Sequence, residues 1–144
     1  MDVTIRPIIY GTEDYEKSID LRNEVFRKPW GLDIRNEDLS SDAKYEMFGA
    51  YKDEKMIATI FLTEDDKETA RIKSVAIFDE YRGKGLGKYL MNYVEDIALK
   101  RGYKKVALMG RVSAEIFYNK LGYETISEVY DHNTIPHVDM IKEF

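Results

Sequence analysis

Apolar and polar residues alternate from Val3 to Tyr10, which predicts a first strand, and Gly11-Thr12 punctuates it. From Asp14 to Lys28 the period lengthens. Tyr15, Ile19, Val25 and Phe26 fall on one stripe of a predicted helix, which Pro29 stops. Trp30 to Ala43 is polar and acidic, a loop with a short helix. The strand period returns in Tyr45–Tyr51, Met56–Thr63 and Ala70–Phe78. Their links, Lys52-Asp53-Glu54-Lys55 and Glu64-Asp65-Asp66-Lys67-Glu68, are short and charged, as in an antiparallel meander. The pattern then becomes strand, glycine-rich turn, helix, strand. The helix runs to about Lys100 with Leu86, Leu90, Tyr93, Val94, Ile97 and Ala98 at helical spacing, and Gly102 stands at C′. Lys104–Met109 is the next strand. Ser113–Leu121 forms a short helix with Ala114, Phe117, Tyr118 and Leu121 on one face, closed by Gly122. Glu124–Tyr130 and His137–Lys142 read as two strands linked by Asp131-His132-Asn133-Thr134. This order predicts an α/β domain with a mixed sheet, antiparallel first and parallel after the glycine turn.

Composition narrows the function classes. The chain has 144 residues, 44% hydrophobic and 34% charged, which suits one folded domain over residues 1–144 with a real core. Apolar runs stop at about five residues, against the roughly 20 needed to span a bilayer, so no membrane role is expected. The N-terminal MDVTIRPIIY lacks a charged-then-apolar leader layout, and a cytoplasmic location is the expectation. There is no cysteine, which removes disulfides, thiolate metal sites and a cysteine nucleophile together. The net charge of −5 is a poor profile for a nucleic-acid binder. It suits an amine partner, and it serves solubility equally well.

The informative segment is Arg82-Gly83-Lys84-Gly85-Leu86-Gly87. Glycines at alternate positions let the backbone approach a ligand, and the helix that opens here points free N–H groups outward, a setting for phosphate. A P-loop would end in Gly-Lys-Ser/Thr, whereas Gly87 is followed by Lys88-Tyr89; a dinucleotide fingerprint needs a small residue at Lys88. The alternative is a turn that merely lets a strand meet a helix.

Val75-Ala76-Ile77-Phe78-Asp79-Glu80-Tyr81-Arg82-Gly83-Lys84-Gly85-Leu86-Gly87-Lys88-Tyr89-Leu90 resembles the acetyl-CoA-binding motif of the GNAT superfamily of N-acetyltransferases, with Arg82, Gly85 and Gly87 at the fixed positions. Ala114-Glu115-Ile116-Phe117-Tyr118-Asn119-Lys120-Leu121-Gly122-Tyr123 is similar to that family's second motif. The resemblance implies a mixed, mostly antiparallel central sheet of 6–7 strands flanked by helices, with a β-α-β cofactor-binding unit. It implies that acetyl-CoA is the acetyl donor. Backbone groups of Val75, Ala76 and Ile77 would pair with its pantetheine arm, their side chains serving the core. Arg82, Gly83, Lys84, Gly85, Leu86, Gly87 and Lys88 would hold the phosphates. Arg101, Lys104 and Lys105 either approach the 3′-phosphate or form a solvated basic edge. Many family members place asparagine where this chain has Arg111, which puts a side-chain contact to CoA there in doubt.

Acetyl transfer from a thioester to an amine needs a neutral amine, a stabilised carbonyl oxygen and a hydrogen bond or proton for the leaving thiolate. A lysine-like amine of pKa ~10.4 is neutral in roughly one molecule in 2,500 at pH 7, so a base or desolvation must help. No covalent intermediate is required. Tyr118 is the candidate general acid, by resemblance and because a phenol is protonated at pH 7; the alternative is one more member of its apolar stripe. His137 is the candidate base, with a pKa near 6.5, or else a half-buried structural residue. Leu21–Arg27 and the Pro136-His137-x-x-Met140-x-Lys142 ending resemble a GNAT subgroup in which both segments lie around the acceptor cleft. His132 falls in a polar turn and reads as solvated, and the two histidines without acidic or thiolate support make a poor metal site.

Arg22, on the apolar face of the first helix, either clamps an acidic group of the protein or faces an anionic group of the acceptor. Trp30 is either an aromatic wall of the acceptor pocket or a core anchor for its loop. The expected activity is direct acetyl transfer to a primary amine of a small molecule or peptide, without a metal. The alternative is a non-catalytic acetyl-CoA sensor or interaction module, and a nucleotide-binding domain is a third reading. A homodimer would be in keeping with the family.

Overall fold

The computed structural model describes residues 2–144. The chain runs β1 (Thr4–Ile8), α1 (Glu13–Phe26), β2 (Glu46–Lys52), β3 (Lys55–Glu64), β4 (Thr69–Ile77), α2 (Leu86–Lys100), β5 (Lys105–Arg111), α3 (Glu115–Lys120), β6 (Glu124–Thr125), β7 (Tyr130–His132) and β8 (Ile135–Glu143). The strands form one sheet in the order β1-β2-β3-β4-β5-β8-β6, with β7 also on β8. Every pairing is antiparallel except β4 with β5.

Helix α1 covers one face of the sheet. The Thr12 hydroxyl accepts from the Tyr15 amide, and Glu13, Asp14 and Glu16 complement the dipole in the first turn. The helix buries Tyr15, Ile19, Leu21 and Arg22 against Met47, Phe61 and Ala76, while Val25 and Phe26 lie only partly covered. It ends at Phe26, before Pro29, which sits in a 3-10 turn at Lys28–Trp30. Two further 3-10 turns, Ile34–Asn36 and Ser40–Lys44, carry the chain to β2. Helix α2 covers the opposite face through Leu86, Leu90, Met91, Val94 and Ala98, which pack on Ile57, Ile60, Ile72 and Val106.

The count of eight strands exceeds the expected 6–7 because the stretch predicted as one strand, Glu124–Tyr130, divides. Thr125 stands opposite Met140 and Tyr130 opposite His137, so five steps on one side face three on the other. At this bulge the Ser127 hydroxyl accepts the Asp139 amide at 2.8 Å, taking the place of a ladder carbonyl. The following turn is also tighter than expected. Asn133 and Thr134 alone make it, both left-handed at φ 52° and 65°, so Asp131 and His132 belong to β7.

The sheet opens at its parallel pair. Strands β4 and β5 pair only at Thr69↔Lys105, Ala70↔Val106 and Arg71↔Ala107, and they diverge beyond. Strand β5 continues against β8 as far as Arg111, opposite His137. On β4 the divergence coincides with Ser74 in the left-handed region at φ 54°, a register shift against β3, and a bond from the Thr59 hydroxyl to the Ser74 carbonyl at 2.9 Å. Among the described residues no helix is long and apolar enough to cross a membrane.

Candidate active site

The gap between β4 and β5 is the mouth of a cavity of about 740 Å³. Its lining brings together Val75 and Ser74 of β4, Leu108 and Arg111 of β5, Ala114 and Tyr118 around α3, and His132, Ile135 and His137 of the last hairpin. Arg22, Arg27 and Asp42 close it from the α1 side, and Arg82 stands at the end toward the glycine loop. Residues far apart in sequence meet here because the strands on either side splay.

Tyr118 is buried, at 8% exposure, with its ring edge-on to Phe117 and Tyr123. Burial pushes its phenol up to about 12, opposed only by the nearby Arg111 charge. No side chain or backbone group among the described residues hydrogen-bonds its hydroxyl, and no side-chain polar atom is both sealed from solvent and unpaired. The hydroxyl therefore opens to the cavity.

His137 is also buried. Its Nδ1 lies 2.7 Å from the carbonyl oxygen of Ile135, which can only accept, so Nδ1 carries the proton and Nε2 keeps a lone pair. Tyr130 stacks on the imidazole and His132 meets it edge-on at 5.4 Å. Burial holds its pKa below the ordinary value, with the positive charges of Arg111 and Arg27 adding to the effect. The ring is thus held neutral. His132, expected in a turn, is the last residue of strand β7; it is exposed, as expected, and borders the cavity.

Arg22 settles on one of its two alternatives. Both of its terminal nitrogens donate to Asp42 Oδ2, at 3.1 and 3.0 Å, and Tyr15 donates to the same oxygen at 2.7 Å. The pair is buried and stacked over the Phe61 ring, so the guanidinium fork is occupied within the protein. Trp30 is about half exposed in its 3-10 turn and does not line the cavity. Arg101, a candidate for the 3′-phosphate, is held by Glu46 through two bonds at 2.6 and 2.9 Å.

The glycine loop has the conformation its sequence requires. Gly83 and Gly85 take φ 73° and 83°, closed to most residues, and Gly85 is the N-cap of α2. No side chain caps α2 and no acid stands in its first turn, so its leading amides keep their positive end. Gly87 has a different reason to be glycine. A Cβ there would stand 2.9 Å from the Phe117 ring, which packs against the helix start. Of the three strand residues expected beside the cofactor, Val75 lines the cavity, Ala76 is buried toward α1 and Ile77 packs toward α2. Gly83 to Lys88 lie beyond the cavity lining, past Arg82.

Two wall residues carried no usable signal. Ser74 looks like any polar residue in a strand, and its left-handed backbone follows from the mismatch with β3. Arg111 appeared only as a departure from a pattern. It lies across the cavity, donating to the Phe26 carbonyl at 2.7 Å with its guanidinium over the Phe26 ring.

Known proteins share this fold. The sequence profile of the acetyltransferase (GNAT) family matches residues 14–123. A Bacillus subtilis protein assigned to the acetyltransferases by name is 30% identical over 140 residues, 94% of this chain and 93% of that one. The Bacillus subtilis protein YyaT is 39% identical over 75 residues, 52% of this chain, and the match spans about half (51%) of YyaT. Among solved structures, an N-acetyltransferase-type protein of Lactobacillus plantarum superposes with a TM-score of 0.85 at 25% identity, covering 99% of each chain. A GNAT acetyltransferase of Elizabethkingia anophelis, solved with acetyl-CoA bound, gives 0.74 at 20% identity, again over 99% of both. With its splayed β4–β5 pair, its glycine loop and this family match over most of its length, the chain belongs to the GNAT acetyltransferase family.

Proposed function

We propose that this protein is an acetyl-CoA-dependent N-acetyltransferase that moves the acetyl group directly to a primary amine of a small molecule or peptide. The observation that carries this reading is the meeting of two unlike groups in one cavity. A neutral imidazole with a free Nε2 and a buried phenol with no internal partner both face the space beside the diverging strands.

The fit to the donor rests on this chain's own backbone. Beyond Arg71 the β5-facing edge of β4 has no strand partner, so Val75 to Ile77 can take an extended arm as an extra strand. The uncapped start of α2 and the Gly83–Gly85 turn suit a pyrophosphate held by amides of Arg82 to Lys88. His137 Nε2 takes the proton from the attacking amine. Tyr118 donates its hydroxyl hydrogen to the departing sulfur. With the phenol near 12 and an ordinary thiol near 8.5, complete transfer from tyrosine would cost roughly 5 kcal/mol, so Tyr118 acts as a hydrogen-bond donor in the transition state.

The test is thermal stabilisation by CoA and acetyl-CoA against ATP and NAD, followed by thiol release over a panel of amines. Stabilisation by CoA species with thiol release dependent on an amine is the expected result. Stabilisation without release for any amine would favour a sensor, and no stabilisation by CoA would end the proposal.

A further inference from the structure

The cavity walls carry several cations although the whole chain has net charge −5. Most are already answered. Arg22 is paired with Asp42 at 3.0 Å, Arg27 with Glu37 at 2.6 Å and Arg71 with Asp65 at 2.8 Å. Arg82 is paired with Asp79 at 3.3 Å. Lys73 lacks a carboxylate partner and stands over the Tyr45 ring, and Arg111 is the one arginine of the lining, among the described residues, left without a carboxylate. It has no carboxylate within ion-pair distance, and its one hydrogen bond is from Nη2 to the Phe26 carbonyl. A guanidinium carries five N–H donors, and a half-buried one is costly to leave without an anion.

Its position adds a second constraint. Arg111 stands directly opposite His137 in the β5–β8 ladder, so both side chains rise from the same face of the sheet at neighbouring positions. Its charge opposes the rise that burial gives the Tyr118 phenol and adds to the lowering that burial gives His137, as expected for a cation beside the two. An amine delivered to His137 Nε2 thus arrives beside an unanswered positive fork. A neutral or polycationic acceptor would leave that charge uncompensated, and a second ammonium there would be repelled.

We infer that the acceptor is an amine bearing a carboxylate a few bonds from its nitrogen, as in amino acids, and that Arg111 is the residue that selects it by pairing with that carboxylate. This rests on the proposed acetyl transfer for its chemistry. The guanidinium fork matches a carboxylate in a two-bond arrangement, and desolvation in the cavity strengthens the pair. The bond to Phe26 fixes one nitrogen of the fork at the end of α1 and leaves the other donors to the ligand.

The experiment measures product binding, which does not need turnover. N-acetylated amino acids and their matched primary amides are titrated into the protein with and without CoA, and thermal stabilisation is read. The acids should bind at least tenfold tighter than their amides. R111Q should erase that preference, and R111K, a point charge without the fork, should keep only part of it. In the activity arm, R111Q should raise KM for amino-acid acceptors tenfold or more, with no such rise for their amides. Equal binding of acids and amides would overturn the assignment. So would a preference that survives R111Q, or an R111Q defect of equal size for amides and for acetyl-CoA, which is the signature of a tie between α1 and β5 alone. Failure of the proposed activity would look different: no thiol release with any amine, whatever the binding arm shows.

Discussion

Tyr118 and Tyr123 lie five residues apart with their rings in edge contact at 6.0 Å, yet they sit in two unlike polar regions. The Tyr123 hydroxyl donates to Glu95 Oε2 at 2.7 Å, and Lys142 donates to the other oxygen of the same carboxylate at 2.9 Å. Every member of that cluster has its partner, and burial beside the Glu95 charge pushes the Tyr123 phenol far up. Around Tyr118 the account stays open. The phenol, the Nε2 of His137 and most of the Arg111 fork lack protein partners. Polar groups inside a protein normally find partners there, so a cluster that leaves three of them open to one cavity suits a ligand, and the closed cluster nearby suits stability.

The sharpest way to break this contrast is to delete one hydroxyl. Tyr118→Phe should lower kcat by roughly 10²- to 10³-fold with the melting temperature unchanged or raised, since no internal bond is lost. A full kcat would remove Tyr118 from the mechanism. In the closed cluster the effects should reverse. Glu95→Ala strands Lys142 and the Tyr123 hydroxyl and should cost about 3 kcal/mol in denaturant unfolding, with kcat of the folded protein near wild type. His137→Gln should cost about 10²-fold in kcat/KM and flatten the acid limb of the pH profile.

In the wild type that limb should lie below pH 6.5, because burial lowers the His137 pKa. The sign for stability follows. Below the unfolded pKa of about 6.5 the unfolded chain binds a proton at this site that the native state does not, so stability should fall as pH drops through that range. Denaturant titrations at several pH values should show this slope in the wild type and lose part of it in His137→Gln. The smallest expected effect lies far from either cluster. Asp53 and Glu54 make the β2–β3 turn in left-handed conformations, φ 51° and 65°, and Glu54→Gly should stabilise by about 0.5 kcal/mol without touching activity.

The contrast also marks what could be read from the chain before its fold was known. Strand alternation, the glycine loop and the α2 stripe are local patterns, and elements β1 to β5 fall where alternation puts them within a residue or two. Motif and chemistry single out Tyr118 and His137, and both line one cavity. What stayed hidden depends on pairing across the sheet or between segments. The Asp42 that answers Arg22 comes from a 3-10 turn 20 residues on. The bulge that splits Glu124–Tyr130 arises because Ser127 takes the Asp139 amide, a bond that no periodicity announces. Arg111 became a candidate only once its lack of an anion could be seen.

The contact between Gly87 and Phe117 joins the two family motifs into one mechanical part. The space above the start of α2 is a fixed allowance shared by two side chains, and Phe117 takes all of it. A methyl group added at position 87 would push the outer edge of the Phe117 ring, and Phe117 directly precedes Tyr118 on α3. The glycine loop and α3 are therefore fitted to each other: a side chain gained at position 87 displaces the Phe117 ring, and a smaller residue at position 117 gives it room.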